Sequence, residues 1–395
     1  MSDNWLDFDI NKYSKRREES SARLRAAHEF REGDRVACIA SVAGSYFSWL
    51  FGVDIRDYYT DIDTQIEVQM RGLKWRYENL PDDYTGYGIH YDAGPIGEGV
   101  VFDCEVQYPA GTSPWIVPFI KDGSDVEKLQ VKDPRDNPRV QEHLRRAQKF
   151  KERAEQLGVK VPVGGGWIGI HPPLSCACAI ANADWVYESM VTEPEIVLKL
   201  FEKCFQAFCM CQEYMYELYG GRPGSLGLCD DNSAFVSDPL YRRMVLPYNL
   251  ALYEKYGPEH RALHADGPNE HHYETYAKIL RLNHMDIGGW SKLRPAVAIL
   301  KPARCVIHGG LNNRDLYSGW TERLRQKIRQ TIRIAAPGGG FEFAIGGETY
   351  AGTDPDVLCR TFEYAHEVGR FPIDIPEEPL PGEDDGLPVW EAVTR

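Results

Sequence analysis

From residue 194 to residue 368 the chain alternates helix-patterned and strand-patterned segments almost without interruption, and this periodicity restricts the fold more than any other feature. Helical spacing of apolar residues covers 194–219, 239–256, 271–282, a short stretch in the 290s, 317–335 and 355–368. Between them, short apolar runs at 225–229, 262–265, 286–289, 305–308 and 341–345 have the length and composition of buried strands. Upstream, the same reading predicts strands over 36–42, 99–106 and 161–168, with helical material around Ile66 to Trp75 and a charged amphipathic helix over 142–157. An irregular stretch rich in Gly and Pro lies at 109–118. Eight strands, each followed by helical sequence, fit a closed parallel barrel better than an open sheet. An open nucleotide-binding sheet should carry a G-x-G-x-x-G or P-loop pattern after an early strand, and the chain has neither. The triple glycines at 164–166 and 338–340 read as turns. The expectation is therefore an α/β chain folded as a (β/α)8 TIM barrel over 34–373. An N-terminal helical extension over 1–33 precedes it, and a tail over 374–395 follows, whose Pro- and acid-containing part, 374–387, reads as either an ordered wrap or a loose surface segment.

Bulk composition narrows the function classes. Of 395 residues, 45 are Lys or Arg and 59 are Asp or Glu, a formal charge of −14. Such a chain lacks the basic field that a grip on nucleic acid or an anionic membrane requires, although a local arginine pair could still hold a small carboxylate. Apolar runs stop well short of the roughly 20 residues that span a bilayer. No signal-peptide pattern opens the chain, so the ten cysteines are expected to be reduced thiols of a cytoplasmic protein.

In a barrel of this kind, polar groups just past each strand converge on one face. That rule selects Asp103 beside the second strand, Asp231 and Asn232 after the fourth, His264 and Asp266 at the fifth, His308 at the seventh and Glu348 after the eighth. His264 and Asp266 are two apart, so a continuing strand would turn both the same way, and Glu348 could complete a nitrogen and oxygen ligand set for zinc or a similar ion. The pair could equally be a hydrogen-bonded His-Asp unit that shapes a pocket, or a proton-transfer group. Of the adjacent carboxylates Asp230 and Asp231, one could face inward while the other caps a helix, and Asp231 with Asn232 is taken as the inward pair. Asp103 is either a catalytic carboxylate or a loop anchor. His308 is either catalytic or a capping, backbone-bonding residue.

The order of these segments resembles the uroporphyrinogen decarboxylase superfamily from about residue 16 to 373. The resemblance is carried by Gly33-Asp34-Arg35-Val36, FDCEVQYPAG at 102–111, GLCDDNSAFVSDPLYRRMVLPY at 227–248 and ALHADG at 262–267. It continues through CVIHGGLNNRDLYSG at 305–319, FEFAIGGETYAGTDPDVL at 341–358 and the closing FEYAHEVGRFPI. The resemblance implies one of two activities on the same barrel: cofactor-free decarboxylation of uroporphyrinogen, or methyl transfer involving corrinoid proteins, usually with zinc. The decarboxylases carry arginines in an N-terminal run resembling M-R-Q-A-G-R, whereas ASVAGSYFSWLFG at 40–52 has none before Arg56, which counts against a polycarboxylate substrate.

The methyltransferase branch is similar at the fifth strand, where its members show His-x-Cys, and at the eighth, where a second Cys completes the zinc site. His264 matches the histidine, Asp266 stands at the first cysteine, and Gly347 or Glu348 stands at the second. Oxygen ligands in place of thiolates would leave zinc more Lewis acidic, suited to an O-methyl donor. The resemblance thus implies a methyltransferase moving a methyl group from a small O-methyl substrate, aromatic ones included, to a corrinoid. The chain lacks a D-x-H-x-x-G pattern, so the corrinoid would be free or on a partner protein. A metal-free decarboxylase of a carboxylated small molecule and a non-catalytic ligand-binding barrel are the alternatives. Family likeness also suggests a homo-oligomer.

Overall fold

A computed structural model describes residues 5–384. Ten strands form: β1 (Ala37–Ile39), β2 (Ile89–Tyr91), β3 (Val106–Gln107), β4 (Trp115–Ile116), β5 (Val163–Gly165), β6 (Ser225–Cys229), β7 (His260–His264), β8 (His284–Asp286), β9 (Val306–Leu311) and β10 (Phe341–Ile345). The two-residue strands β3 and β4 pair antiparallel as a small hairpin, and the other eight alternate with helices along the chain. The contacts divide the chain into two compact units. One comprises Met1–Phe51, Gln69–Tyr87 and Ala262–Arg395; the other comprises Gly52–Val68 and Gly88–Arg261.

The first unit is built on parallel strands in the order β1, β10, β9, β8, β7. Every residue of β10, Phe-Glu-Phe-Ala-Ile, is buried, the pattern of a parallel strand covered on both faces. Helix Glu322–Ala335 presents Leu324, Ile328, Thr331, Ile332 and Ala335 at helical spacing as its buried face. Helix Pro355–Val368 starts where Asp354 accepts the amide of Asp356 and Pro355 supplies a helical φ, and its Phe362 meets Phe343 of β10 edge to face. The predicted N-terminal helix is Ser14–His28, which packs on β1 and β10. It is tied down by Arg16 and Arg23, which reach Asp82 and Asp83. Of the tail, residues 385–395 lie outside the described residues. Up to Asp384 it wraps the surface through Gln330 to the Pro376 carbonyl, Arg333 to Glu377 and Arg294 to Asp384, with Leu380 buried.

The second unit has its own core of Ile96, Val100, Val101, Val140, Ile168, Ala207, Cys211, Tyr214 and Met215. Here β2 and β5 pair in parallel, and helix Pro194–Tyr219 ends at Gly220, whose φ of 68° provides the left-handed turn. One predicted element is corrected. Residues 99–106 are not the second strand; that strand is β2, ten residues earlier. The run Val100-Val101-Phe102 belongs to a short buried helix, Gly97–Val101, and its exit. A short apolar run reads the same in either state, which is why periodicity misassigned it. The remaining shifts are small: the strand predicted at 286–289 is His284–Asp286, and the helix predicted over 239–256 is two helices, Asp238–Met244 and Leu246–Tyr256.

Candidate functional site

The parallel register of the first unit places His264 beside Asp286, Asp286 beside His308, and His308 beside Glu342. Partners in a parallel ladder share a face, so these four side chains form one row, imidazole and carboxylate in alternation. Exposure falls along it, from 31% for the His264 side chain to 14% for Asp286, 10% for His308 and 4% for Glu342, so His264 is the open end. His264 Nδ1 lies 2.8 Å from Asp286 Oδ2, and its Nε2 lies 3.8 Å from Asp266 Oδ2. The first distance is a hydrogen bond; the second is not. Burial pushes the Asp286 carboxyl up, but the bond from His264 and the nearby imidazoles outweigh it and hold it below the usual carboxylate value.

Asp266 sits in a seat made by glycines. A methyl group on Gly288, at φ +60°, would lie 2.5 Å from Asp266 Oδ1, and one on Gly347 would lie 3.2 Å from Oδ2. Backbone approach this close is possible only without a side chain. Two asparagines fasten the surrounding loops: Asn312 Nδ2 donates to the Gly289 carbonyl at 2.9 Å, and Asn313 Nδ2 donates to the carbonyls of Gly346 and Glu348. Asn312 also caps helix Asn313–Tyr317 in a reciprocal box with Asp315. Glu348 itself is exposed, and it is not gathered with His264 and Asp266 into a ligand group within 4.8 Å.

His308 is not at a strand end. It lies within β9, buried, with Nδ1 2.9 Å from Glu342 Oε2, so it neither caps a helix nor opens onto the mouth. Burial opposes its protonation, but the Glu342 bond and the charge of Asp286 dominate and raise its pKa. Glu342 also accepts from His28 Nε2 at 2.7 Å and His284 Nε2 at 3.1 Å. Three imidazoles overcome the burial of this carboxyl and hold it well below its ordinary range.

In the second unit, Asp230 is the fully buried carboxylate, accepting from Ser175 Oγ at 2.8 Å and Asn249 Nδ2 at 2.9 Å. Burial pushes its pKa up to about 6. Asp231 opens a 3-10 turn, its Oδ2 3.7 Å from Cys229 Sγ, and Asn232 donates to the Tyr187 hydroxyl at 2.8 Å. Asp230 is therefore not the helix cap expected of it: its side chain is buried on Ser175 and Asn249, while Asp231 is half-buried beside Cys229. Nearby in this unit, Glu98 is buried and accepts from the His171 amide at 2.6 Å, its Oε1 also lying 2.8 Å from the ring Nδ1. Asp103 stands apart. With the second strand reassigned, it follows the helix Gly97–Val101 at φ 58° and is ion-paired near the surface with Lys132 at 3.0 Å and Arg139 at 2.9 Å.

The uroporphyrinogen decarboxylase (URO-D) family model matches residues 23–368. The chain belongs to the uroporphyrinogen decarboxylase family. Its fold is that family's (β/α)8 barrel, preceded by a helix. A methyltransferase from Methanosarcina mazei has a similar structure, at a TM-score of 0.60 and 15% identity over 88% of this chain and 98% of that one. Likeness at this identity is likeness of fold. No curated protein sequence matches the chain. Among the described residues, no helix is long and apolar enough to cross a membrane, and no disulfide joins the ten cysteines.

Asp286, Glu342, His284 and His28 were missed as chemistry-bearing residues. A signal was present for three of them. His284 and Asp286 are spaced two apart on one strand, and Glu342 is a lone charge inside an apolar run, where a buried carboxylate must find partners.

Proposed function

We propose that this protein is a methyltransferase that moves a methyl group from a small O-methyl substrate to a corrinoid, free or carried by a partner protein, in the cytoplasm. The observation that carries this reading is the orientation of His264. Its Nδ1 is held by Asp286, which fixes the tautomer and turns Nε2 toward Asp266 Oδ2, 3.8 Å away. Two ligand atoms on a tetrahedral zinc ion stand roughly 3.3–3.5 Å apart, so the pair fits the ion with an adjustment of a few tenths of an ångström. Glu348 follows the glycine beside Asp266 and is the proposed third ligand, which its exposed side chain would reach only by turning inward. Zinc held there would supply Lewis acidity toward the departing oxygen of the methyl donor.

The residues of the chain supply the geometry. Asp286 holds His264 by Nδ1 and so turns Nε2 toward Asp266, the glycine seat fixes Asp266, and Asn312 and Asn313 fasten the loops around it. His308, bonded to Glu342 and interacting with the charge of Asp286, stands behind that pair as a positioning residue. Asp231 and Asn232 are the proposed substrate-handling pair of the second unit, and Asp103, spent on Lys132 and Arg139, has no part. The test is formation of methylcobalamin from chemically reduced cobalamin and a panel of methyl ethers, followed by its visible spectrum. Transfer should be lost on zinc removal and in His264→Ala; transfer that survives both would sink the proposal.

A second reading, decarboxylation of a carboxylated small molecule, is favoured by Asp230, whose pKa of about 6 suits a proton donor. Against it, Arg16, Arg23, Arg35 and Arg76 are all committed to Asp82 and Asp83 rather than offered to a ligand carboxylate. Release of CO2 without metal from such substrates would favour this reading over the first.

A further inference from the structure

At the far end of the polar row lies a constellation that the proposed reaction does not use. Glu342 Oε1 is 2.7 Å from His28 Nε2, and Oε2 is 3.1 Å from His284 Nε2. The three ligand atoms all lie within 4.8 Å of one another. We propose that His28, His284 and Glu342 bind a divalent transition-metal ion of the zinc class, which fastens helix Ser14–His28 to β8 and β10.

Four observations support the site. Ligand atoms on an ion with bonds of roughly 2.0–2.2 Å stand about 3.3–3.5 Å apart, so the two imidazole–carboxylate separations of 2.7 and 3.1 Å would open modestly to admit the ion, with the third separation already within 4.8 Å. Two imidazoles and one carboxylate form a recurrent zinc set that leaves a coordination position for water. His308 Nδ1, at 2.9 Å from Oε2, orients the carboxylate from behind, as the outer partner of a metal ligand does. His28 is the last residue of a 15-residue helix, where the dipole favours a cation, and its side chain is 42% exposed, which gives an ion a way in.

A neighbouring group in the same unit is less suited to an ion. Cys38, Asp83 and His366 also lie within 4.8 Å of one another. There, however, Asp83 accepts from Ser20, from the Cys38 amide and from the guanidinium groups of Arg23 and Arg35. Two fixed cations already neutralise that carboxylate and would repel a third. At Glu342 the hydrogen-bonding partners are imidazoles, each able to give up a proton to a metal.

The test uses the full-length chain, stripped with chelator and titrated with Zn2+ alone and with Co2+ as a visible probe. His264→Ala disables the mouth and so separates this site from the one proposed above. His264→Ala is expected to bind one equivalent of Zn2+, to melt at a higher temperature with it, and to resist trypsin at Arg23, Arg25 and Arg31. Adding His28→Ala, a half-exposed substitution the fold should tolerate, is expected to lower that zinc affinity by roughly tenfold or more and abolish the protection. His284→Gln in place of His28→Ala should do the same and shift the Co2+ spectrum. The proposal is overturned if folded His264→Ala takes up no metal, or if the double variants bind as tightly as His264→Ala.

Discussion

Replacing Asp230 by Asn should make the protein relatively more stable as pH rises. Asp230 is fully buried, and its pKa is raised from 3.8 to about 6 chiefly by loss of solvent. A carboxyl whose folded pKa lies above its unfolded value contributes stability that is fully present below about pH 3.8 and is lost as pH rises through about 6. The whole interval corresponds to about 3 kcal/mol, of which about 1 is already lost near pH 4.5. Asparagine has the same shape and no charge. It can still accept from Ser175, and once the Asn249 amide turns over, its NH2 can donate to Asn249 Oδ1, a buried oxygen that otherwise has no partner. The advantage of Asp230→Asn over wild type should therefore widen by about 2 kcal/mol between about pH 4.5 and 7.5. In a chain of 395 residues that is a difference of roughly 2–3 °C in melting temperature. Differential scanning calorimetry of both proteins at the two pH values measures it, and the pairwise difference cancels every titration the proteins share. A difference that stays constant, or shrinks with pH, would refute the assignment of a buried, easily protonated acid.

Asp286→Asn should leave His264 without its anionic anchor and weaken zinc binding at the mouth by about 10–100-fold in a chelator competition. Asn312→Ala removes both a helix cap and the bond to Gly289, and should cost about 1–2 kcal/mol, read as a lower melting temperature. Asp103→Asn, at an outward ion pair, should change stability by less than about 1 kcal/mol and leave methyl transfer at the wild-type rate; a large loss of rate would return Asp103 to the site.

Where local pattern and local chemistry suffice, the sequence alone carried the answer. The helices 194–219 and 355–368 and the strands 225–229 and 341–345 match the structure at both ends, because their apolar spacing and their Pro and Gly boundaries are properties of neighbouring residues. The nearness of His264 and Asp266 was legible for the same reason, since two side chains two apart at a strand end need no distant information to be placed together. Other features depended on the fold. A short buried run such as Val100-Val101-Phe102 satisfies helix and strand equally, and packing against Val140 and Met215 decided it. The alternation of His264, Asp286, His308 and Glu342 exists only in the register between strands separated by 22 to 34 residues. His28 meets Glu342 across 314 residues. Burial joins such groups because a carboxylate removed from water must be paired, and which partners reach it is set by strand register and helix docking rather than by order along the chain.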